Sequence, residues 1–169
     1  MGRLRGFAAL PLSMLTVAAA IGLAIGGSGE SYDVRLVDNA YAAGTEGLDP
    51  ALKFFYTLAK RDAAAHGVPL AITSGHRTWA QQQSLWQSGV AEYGSPEAAR
   101  RWVLPPGESA HVAGKAIDVR PIEGARWLEA HGNKYGLCRM YVNEWWHFEI
   151  ATVPTQRCPA MVRDASVRR

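Results

Sequence analysis

Cysteine is scarce in this chain, and no cluster of positive charge occurs in its interior. Only two cysteines are present among 169 residues, and they do not form a C-x-x-C pair, which argues against a four-cysteine metal site. The net charge is +3, and several arginines lie at the two ends rather than in a central basic stripe, so we expect no nucleic-acid partner. No internal repeat occurs, and ordinary apolar and charged fractions of 48% and 20% exclude a disordered chain and indicate a globular one.

Charged residues are also absent from Phe7 to Ile25, and Arg3 and Arg5 precede this apolar run. A positive start followed by an apolar segment is typical of an export signal, and the run is also about long enough to cross a membrane. Residues 1–27 are therefore predicted to be a signal peptide or a membrane anchor. Arginines before the segment predict that the rest of the chain is exported. The expected location is extracytoplasmic (secreted, periplasmic or in the cell wall), with membrane contact only through this segment if it is not cleaved.

Export determines how the two cysteines are interpreted. In an oxidising compartment an even number of cysteines usually pairs, so Cys138 and Cys158 are predicted to form a disulfide. A bridge that closes a loop of about 20 residues stabilises a fold by roughly 3 kcal/mol in the loop-entropy description.

The rest of the chain divides into three predicted parts. Residues 28–47, rich in Gly, Ser, Asp and Ala without a sustained period, are predicted to be a linker. Residues 48–162 form one small domain, and residues 163–169 a basic tail. We expect a monomer.

Helical and strand patterns are mixed within the domain. Helices are predicted over 50–67, 77–89 and 124–136, and β-rich segments over 68–73, 116–119, 137–142 and 145–151. Asp49 and Pro50 suit the cap and the first position of the first helix, and Trp79, Leu85 and Trp86 are candidate core positions of the second. Because no regular βαβ rhythm occurs, the predicted class is α+β, a mainly antiparallel sheet flanked by helices.

The chain contains five histidines. His66 and His131 each precede a glycine at the end of a predicted helix, where the helix dipole favours them, so we expect them to be terminal-turn residues rather than ligands. His76, His111 and His147 lie in predicted loops or strands beside other polar groups.

A candidate metal site begins with His111 and Asp118, seven residues apart. Gly114 between them permits a tight turn, and Asp118 is expected on the polar face of a half-buried strand, where its carboxylate needs a cation or hydrogen bonds. A turn histidine followed by a capping aspartate is the alternative. With His147 they form a set of two histidines and one carboxylate, which leaves a coordination position for water on zinc. Iron uses the same ligand types.

A glutamate precedes the third histidine. Glu144 lies three residues before His147, and odd separations in a strand point to opposite faces. We therefore expect Glu144 in the turn or bulge before the strand, where its carboxylate can approach the metal site as a general base. A base beside the metal favours hydrolysis over oxygen chemistry.

Three blocks in this sequence resemble the motifs of the zinc D-Ala-D-Ala metallopeptidases. They are "SGHRTWAQQ" (74–82), "SAHVAGKAID" (109–118) and "EWWH" (144–147), and they follow the family's order. This VanX/VanY group is related to the broader LAS metallopeptidases, which include hedgehog relatives. The Glu-Trp-Trp-His-Phe form and the single small domain are more similar to VanY-type carboxypeptidases than to the dipeptidases. The resemblance implies a hedgehog/D-Ala-D-Ala peptidase-like fold.

The resemblance also implies roles for particular residues. His111, Asp118 and His147 would hold Zn²⁺, Glu144 would be the general base, and Arg77 would stabilise the oxyanion.

Other residues are implied to contact the substrate. Ser109 and Gln82 match positions near the substrate, and Trp146, just before the zinc histidine, is expected to form a wall of the pocket. His76 departs from the family, which usually has an aromatic residue there.

The function implied is that of an exported zinc metallopeptidase acting on peptidoglycan stem peptides, most simply a carboxypeptidase that releases C-terminal D-alanine. The alternatives are an L,D-carboxypeptidase or an endopeptidase of the same stem peptides, or a non-catalytic cell-wall binding module that retains a structural metal. Glu144 and Arg77 argue against the binding module, because a binder requires neither.

Overall fold

The structure, a computed structural model, describes residues 44–167. The predicted signal peptide or anchor and most of the predicted linker lie outside the described residues. Within the described part, no helix is long and apolar enough to cross a membrane. Thr45, before the predicted domain 48–162, and Asp164 and Ala165, after it, are buried. Packed residues therefore occur just outside both predicted limits, and the limits stay a prediction.

The described residues form four α-helices and four strands. In chain order these are α1 (Pro50–Ala65), β1 (Ala71–Ser74), α2 (Trp79–Tyr93), α3 (Pro96–Ala99), β2 (Ala116–Arg120), α4 (Ile122–His131), β3 (Leu137–Arg139) and β4 (His147–Ile150). Short 3-10 helices span Pro106–Glu108, Gly132–Tyr135 and Ala165–Val167.

The four strands form one sheet in the order β1-β2-β4-β3, and all neighbours are antiparallel. This confirms the predicted α+β class. One face of the two central strands carries Ile117, Val119 and Phe148, which pack in the main core with Leu52 and Leu128 of the helices. Because side chains alternate along a strand, the intervening polar residues of β2 and β4 lie on the opposite face.

The prediction that β2 is a half-buried strand was wrong. Its residues 116–119 are all buried, including Asp118. The reason is that the loops carrying Leu104, His111 and Tyr141 line a cleft over the polar face, so the strand is covered on both sides.

The first helix begins where the sequence indicates. The Asp49 carboxylate accepts a hydrogen bond from the amide of Ala51 (2.9 Å), and Pro50 takes the first helical position. Gly67 follows the helix with a φ of 71°, a left-handed conformation that glycine adopts without strain. His66 caps α1 and His131 lies in the last turn of α4, at the helix ends expected for both.

The second helix buries a different face from the one predicted. Trp79 and Leu85 are 61% and 45% exposed, so their assignment to the core was wrong, and Trp86 is half-buried beneath the guanidinium of Arg100. The buried positions are Gln82 and Gly89. The helix turns a polar residue toward the cleft, a preference that apolar periodicity does not detect.

Several element limits also differ from the predictions. β1 begins at Ala71, β4 begins only at His147, and the predicted strand over 137–142 ends at Arg139, after which Tyr141 forms an isolated bridge with Val162. The third predicted helix is observed as α4 and the 3-10 helix Gly132–Tyr135, which Gly136 caps in the left-handed conformation.

The predicted disulfide is present between Cys138 and Cys158. Cys138 is a buried residue of the edge strand β3, whereas Cys158 lies in the irregular segment after β4. The bridge therefore ties that segment to the sheet.

Removing the bridge with a Cys138→Ser, Cys158→Ser double substitution is expected to lower the free energy of unfolding by about 3 kcal/mol, because the unfolded chain regains the freedom of a loop closed over a separation of 20 residues. Urea unfolding of the oxidised proteins measures the difference. A reducing agent should destabilise the wild type but not the double variant, and equal stability of the two oxidised proteins would contradict the expectation.

Candidate active site

Three potential metal ligands converge on the polar face of the sheet. Antiparallel pairing places Asp118 of β2 directly opposite His147 of β4, and His147 Nδ1 lies 3.1 Å from Asp118 Oδ1. His111 Nε2 lies 3.3 Å from the same oxygen. One donor atom from each residue lies within 4.8 Å of the others, and all three residues are buried.

The third ligand comes from the loop that precedes β2. Gly114 adopts a φ of 68°, and a Cβ atom there would lie 2.9 Å from the carbonyl oxygen of Gly47. The carbonyl of Gly114 accepts a hydrogen bond from the amide of Asp49 (2.9 Å). The glycine therefore allows the tight turn expected between His111 and Asp118, and the turn packs against the start of α1.

Hydrogen bonds on the far side of each imidazole orient the rings. His111 Nδ1 donates to the carbonyl of Gly75 (2.8 Å), because a carbonyl only accepts, and Nε2 is the nitrogen that faces Asp118. His147 Nε2 lies 3.0 Å from Glu149 Oε1, which leaves Nδ1 toward Asp118. Such outer partners are usual for metal-ligating histidines.

Electrostatics keep the central carboxylate charged. Burial alone would raise the pKa of Asp118, but hydrogen bonds from His111 and His147 outweigh it and hold the pKa well below its usual range. Burial lowers the pKa of His147, whereas its hydrogen bonds to Asp118 and Glu149 raise it to about 9. Two imidazoles and one ionised carboxylate form a donor set that fits a zinc-like divalent cation.

Glu144 lies beside this cluster, in the turn before β4 where it was expected. It is buried, and its Oε2 is 3.9 Å from His147 Nδ1. Burial raises the pKa of Glu144 to about 7, against the opposing charge of His147. A carboxyl that gains and loses a proton near neutral pH is suited to general acid–base chemistry.

Arg77 is held in the site by three hydrogen bonds. Its Nη2 donates to Asp118 Oδ2 (2.8 Å), its Nε to Ser74 Oγ (2.8 Å) and its Nη1 to Gln82 Oε1 (3.2 Å). The guanidinium therefore orients the central carboxylate, a contact that the sequence did not indicate.

The three predicted substrate contacts differ in their surroundings. Ser109 and Trp146 line a cleft of about 100 Å³ together with the three ligands, and among the described residues the Ser109 hydroxyl has no hydrogen-bond partner. Gln82 also lines this cleft, but its Nε2 donates to the carbonyl of Leu104 (2.8 Å) while its oxygen accepts from Arg77. Because both ends of its amide are used in this way, Gln82 is placed to position Arg77 rather than to contact a substrate directly.

Two polar partners were missed from the sequence. Ser74 ends β1, where it pairs with Asp118 in the sheet, and its Oγ accepts the hydrogen bond from Arg77 Nε. Glu149 follows His147 by two residues in β4, so strand alternation could have placed both on one face. His76 does not join the metal-ligating group; it is exposed and packs against Gly47.

Comparison with known proteins agrees with this geometry. A family model described as VanY, D-alanyl-D-alanine carboxypeptidase, matches residues 49–150. A D-alanyl-D-alanine carboxypeptidase of Enterococcus faecalis is 30% identical over 146 residues, which are 72% of this chain and 48% of that protein. The chain thus spans about half the length of this relative.

Two solved structures share the fold. A vancomycin-resistance D,D-pentapeptidase VanY variant in complex with Zn(II) is 29% identical with a TM-score of 0.56, covering 60% of this chain and 71% of that one. The LdcB LD-carboxypeptidase is 28% identical with a TM-score of 0.52, covering 64% and 67%.

The sheet and its flanking helices match the fold of these solved carboxypeptidase structures. Because the family model covers more than half of the sequence, the chain belongs to the VanY family of D-alanyl-D-alanine carboxypeptidases.

Replacing His111 by Ala is expected to weaken Zn²⁺ binding more than about 100-fold. Loss of a residue that only hydrogen-bonds to a ligand already lowers metal affinity by about 10–100-fold, and loss of a ligand should lower it further. Competition with a chromophoric chelator measures the affinity. His76→Ala is the matched control, since His76 lies outside the cluster, and it should bind Zn²⁺ like the wild type. Equal affinity of His111→Ala and the control would remove His111 from the ligand set.

Proposed function

We propose that this chain is an exported zinc carboxypeptidase that removes the C-terminal D-alanine from peptidoglycan stem peptides. The observation that carries the proposal is the buried His111, Asp118 and His147 cluster with the carboxyl of Glu144 beside it in one cleft. Peptidoglycan lies outside the cell membrane, which agrees with the apolar segment at the start of the sequence. We propose that the enzyme acts as a monomer.

His111, Asp118 and His147 would hold the zinc through Nε2, a carboxylate oxygen and Nδ1. Bound there, zinc supplies Lewis-acid polarisation of water and of the scissile carbonyl. The zinc-containing VanY structure supports this choice of metal, as does the combination of imidazole and carboxylate donors.

Glu144 acts as the proton carrier. Its carboxylate takes a proton from the attacking water and delivers it to the nitrogen of the leaving D-alanine. Burial supports this role because a carboxyl with a pKa of about 7 both accepts and returns a proton efficiently near neutral pH.

Arg77 provides the fixed positive charge of the cleft. Three of its N–H groups are used by Ser74, Gln82 and Asp118, which leaves two of its five for the substrate. Negative charge develops on the carbonyl oxygen as water attacks, and an immobilised guanidinium stabilises it without reorganisation.

The remaining cleft residues bind the peptide. Ser109 and Trp146 line the cleft. The Ser109 hydroxyl donates to the C-terminal carboxylate, and Trp146 forms an apolar wall for the short side chains of the stem peptide. Gln82 acts indirectly by holding Arg77.

An L,D-carboxypeptidase is the second candidate, and the similarity to the LdcB LD-carboxypeptidase supports it. Both activities use the same water chemistry and differ in the stereochemistry of the residue before the cleaved bond. Two further alternatives are an endopeptidase and a protein that binds the cell wall through its metal without turnover. The product analysis described next distinguishes all four.

Mass spectrometry of products from defined stem peptides tests the proposal. The zinc-loaded protein is expected to release one D-alanine from a pentapeptide ending in D-Ala-D-Ala and to leave the tetrapeptide intact. Removal of D-alanine from the tetrapeptide instead would indicate an L,D-carboxypeptidase. Cleavage at an internal bond would indicate an endopeptidase. Binding without any product would overturn the enzymatic proposal. Activity should disappear with a chelator and return with Zn²⁺.

Glu144→Gln is expected to lower kcat by about 10²–10⁴-fold, since the amide cannot accept the proton of water. Zinc content, measured by atomic emission, should stay near one ion per chain because Glu144 is not among the three ligands. Glu123→Gln, an exposed position in the first turn of α4, is the matched control. Full turnover by Glu144→Gln would show that another group is the base.

A further inference from the structure

We propose that Glu149 is a positioning residue that holds the imidazole of His147 with Nδ1 toward the metal and raises the strength of that ligand. This inference rests on the metal site of the proposed function. The two histidine ligands are unequal, since one is supported by a carboxylate and the other by a backbone carbonyl.

Strand geometry places Glu149 behind His147. The two residues are two positions apart in β4 and share a face, while Phe148 between them points into the main core. Glu149 Oε1 lies 3.0 Å from His147 Nε2. In the sheet, Glu149 is flanked by Ala116 of β2 and Cys138 of β3, two small neighbours that leave room for its side chain.

Burial makes this carboxylate costly unless a partner compensates it. Glu149 is only 3% exposed, and an apolar residue would suit packing at the centre of a sheet. The ion pair with His147 supplies compensation, and it places the negative charge directly behind a metal ligand.

The imidazole of His147 is held from several sides. The ring of Tyr141 lies 5.1 Å from the His147 ring at an interplanar angle of 32°. Because carboxylate oxygens face both ring nitrogens, the hydrogen bond to Glu149 keeps the hydrogen on Nε2 when Nδ1 coordinates a cation.

The other histidine has a weaker outer partner. His111 Nδ1 donates to the neutral carbonyl of Gly75. A charged acceptor makes an imidazole more electron-rich than a neutral one does. His147 is therefore the stronger of the two nitrogen ligands, and Glu149 is the cause.

Two substitutions of similar length separate the charge of Glu149 from its hydrogen bond. Glu149→Met removes the acceptor and should weaken Zn²⁺ binding by about 10–100-fold, measured by competition with a chromophoric chelator. Glu149→Gln keeps an acceptor oxygen without the charge, and its loss should be smaller than that of Glu149→Met. Glu129→Gln, a surface carboxylate on α4, is the control and should bind Zn²⁺ like the wild type.

Long-range ¹H–¹⁵N NMR of the zinc-loaded protein shows which nitrogen of His147 carries the hydrogen. A residue that only stabilises the fold would not affect this. Wild type and Glu149→Gln should show His147 protonated at Nε2 and metal-bound at Nδ1. A Glu149→Met protein that folds and binds Zn²⁺ with wild-type affinity would overturn the inference. Coordination of the metal through Nε2 of His147 in the wild type would also overturn the inference. This second test does not require that Glu149→Met folds. A wild type that binds no Zn²⁺ would instead refute the proposed function.

Discussion

The antiparallel pairing of β2 with β4 is the constraint on which the rest of the structure depends. One ladder places Ile117 opposite Phe148 in the core and, at the next position, Asp118 opposite His147 in the site. Because alternate residues face opposite sides of a sheet, a slip of one residue would expose the core and scatter the ligands. Packing of the apolar face thus sets the register that brings the donor atoms together.

The site concentrates charge in a place where burial is expensive. Asp118, Glu144 and Glu149 are all buried, and they lie within ion-pair distance of the imidazoles of two histidines or the guanidinium of Arg77. Removing one member of such a network leaves its partner buried without compensation. The arrangement suits a cation-binding centre better than a purely structural one, since apolar residues would fill the same space at lower cost.

The candidate ligands could be proposed from the sequence because residue types suited to binding a metal appear in short segments. His111, Gly114 and Asp118 lie within one turn and one strand, and Glu144 precedes His147 closely. Contacts between distant segments could not be found in this way: Arg77 reaches Asp118 across 41 positions, and Gln82 reaches Leu104 across 22. The prediction that Trp79 is a core residue was wrong for a related reason. The apolar character of a side chain does not reveal which face of a helix is covered by the rest of the fold.

The sequence by itself determined the α+β class, the caps of the first helix, the pairing of the two cysteines and the set of candidate ligands, since each depends on residue type and local spacing. Only the tertiary structure decided that Arg77 holds Asp118 and that Gln82 holds Arg77. Those contacts arise from sheet register and from the loops that cover the polar face. Hydrogen bonds require an approach of about 3 Å, and only the folded chain brings such groups that close.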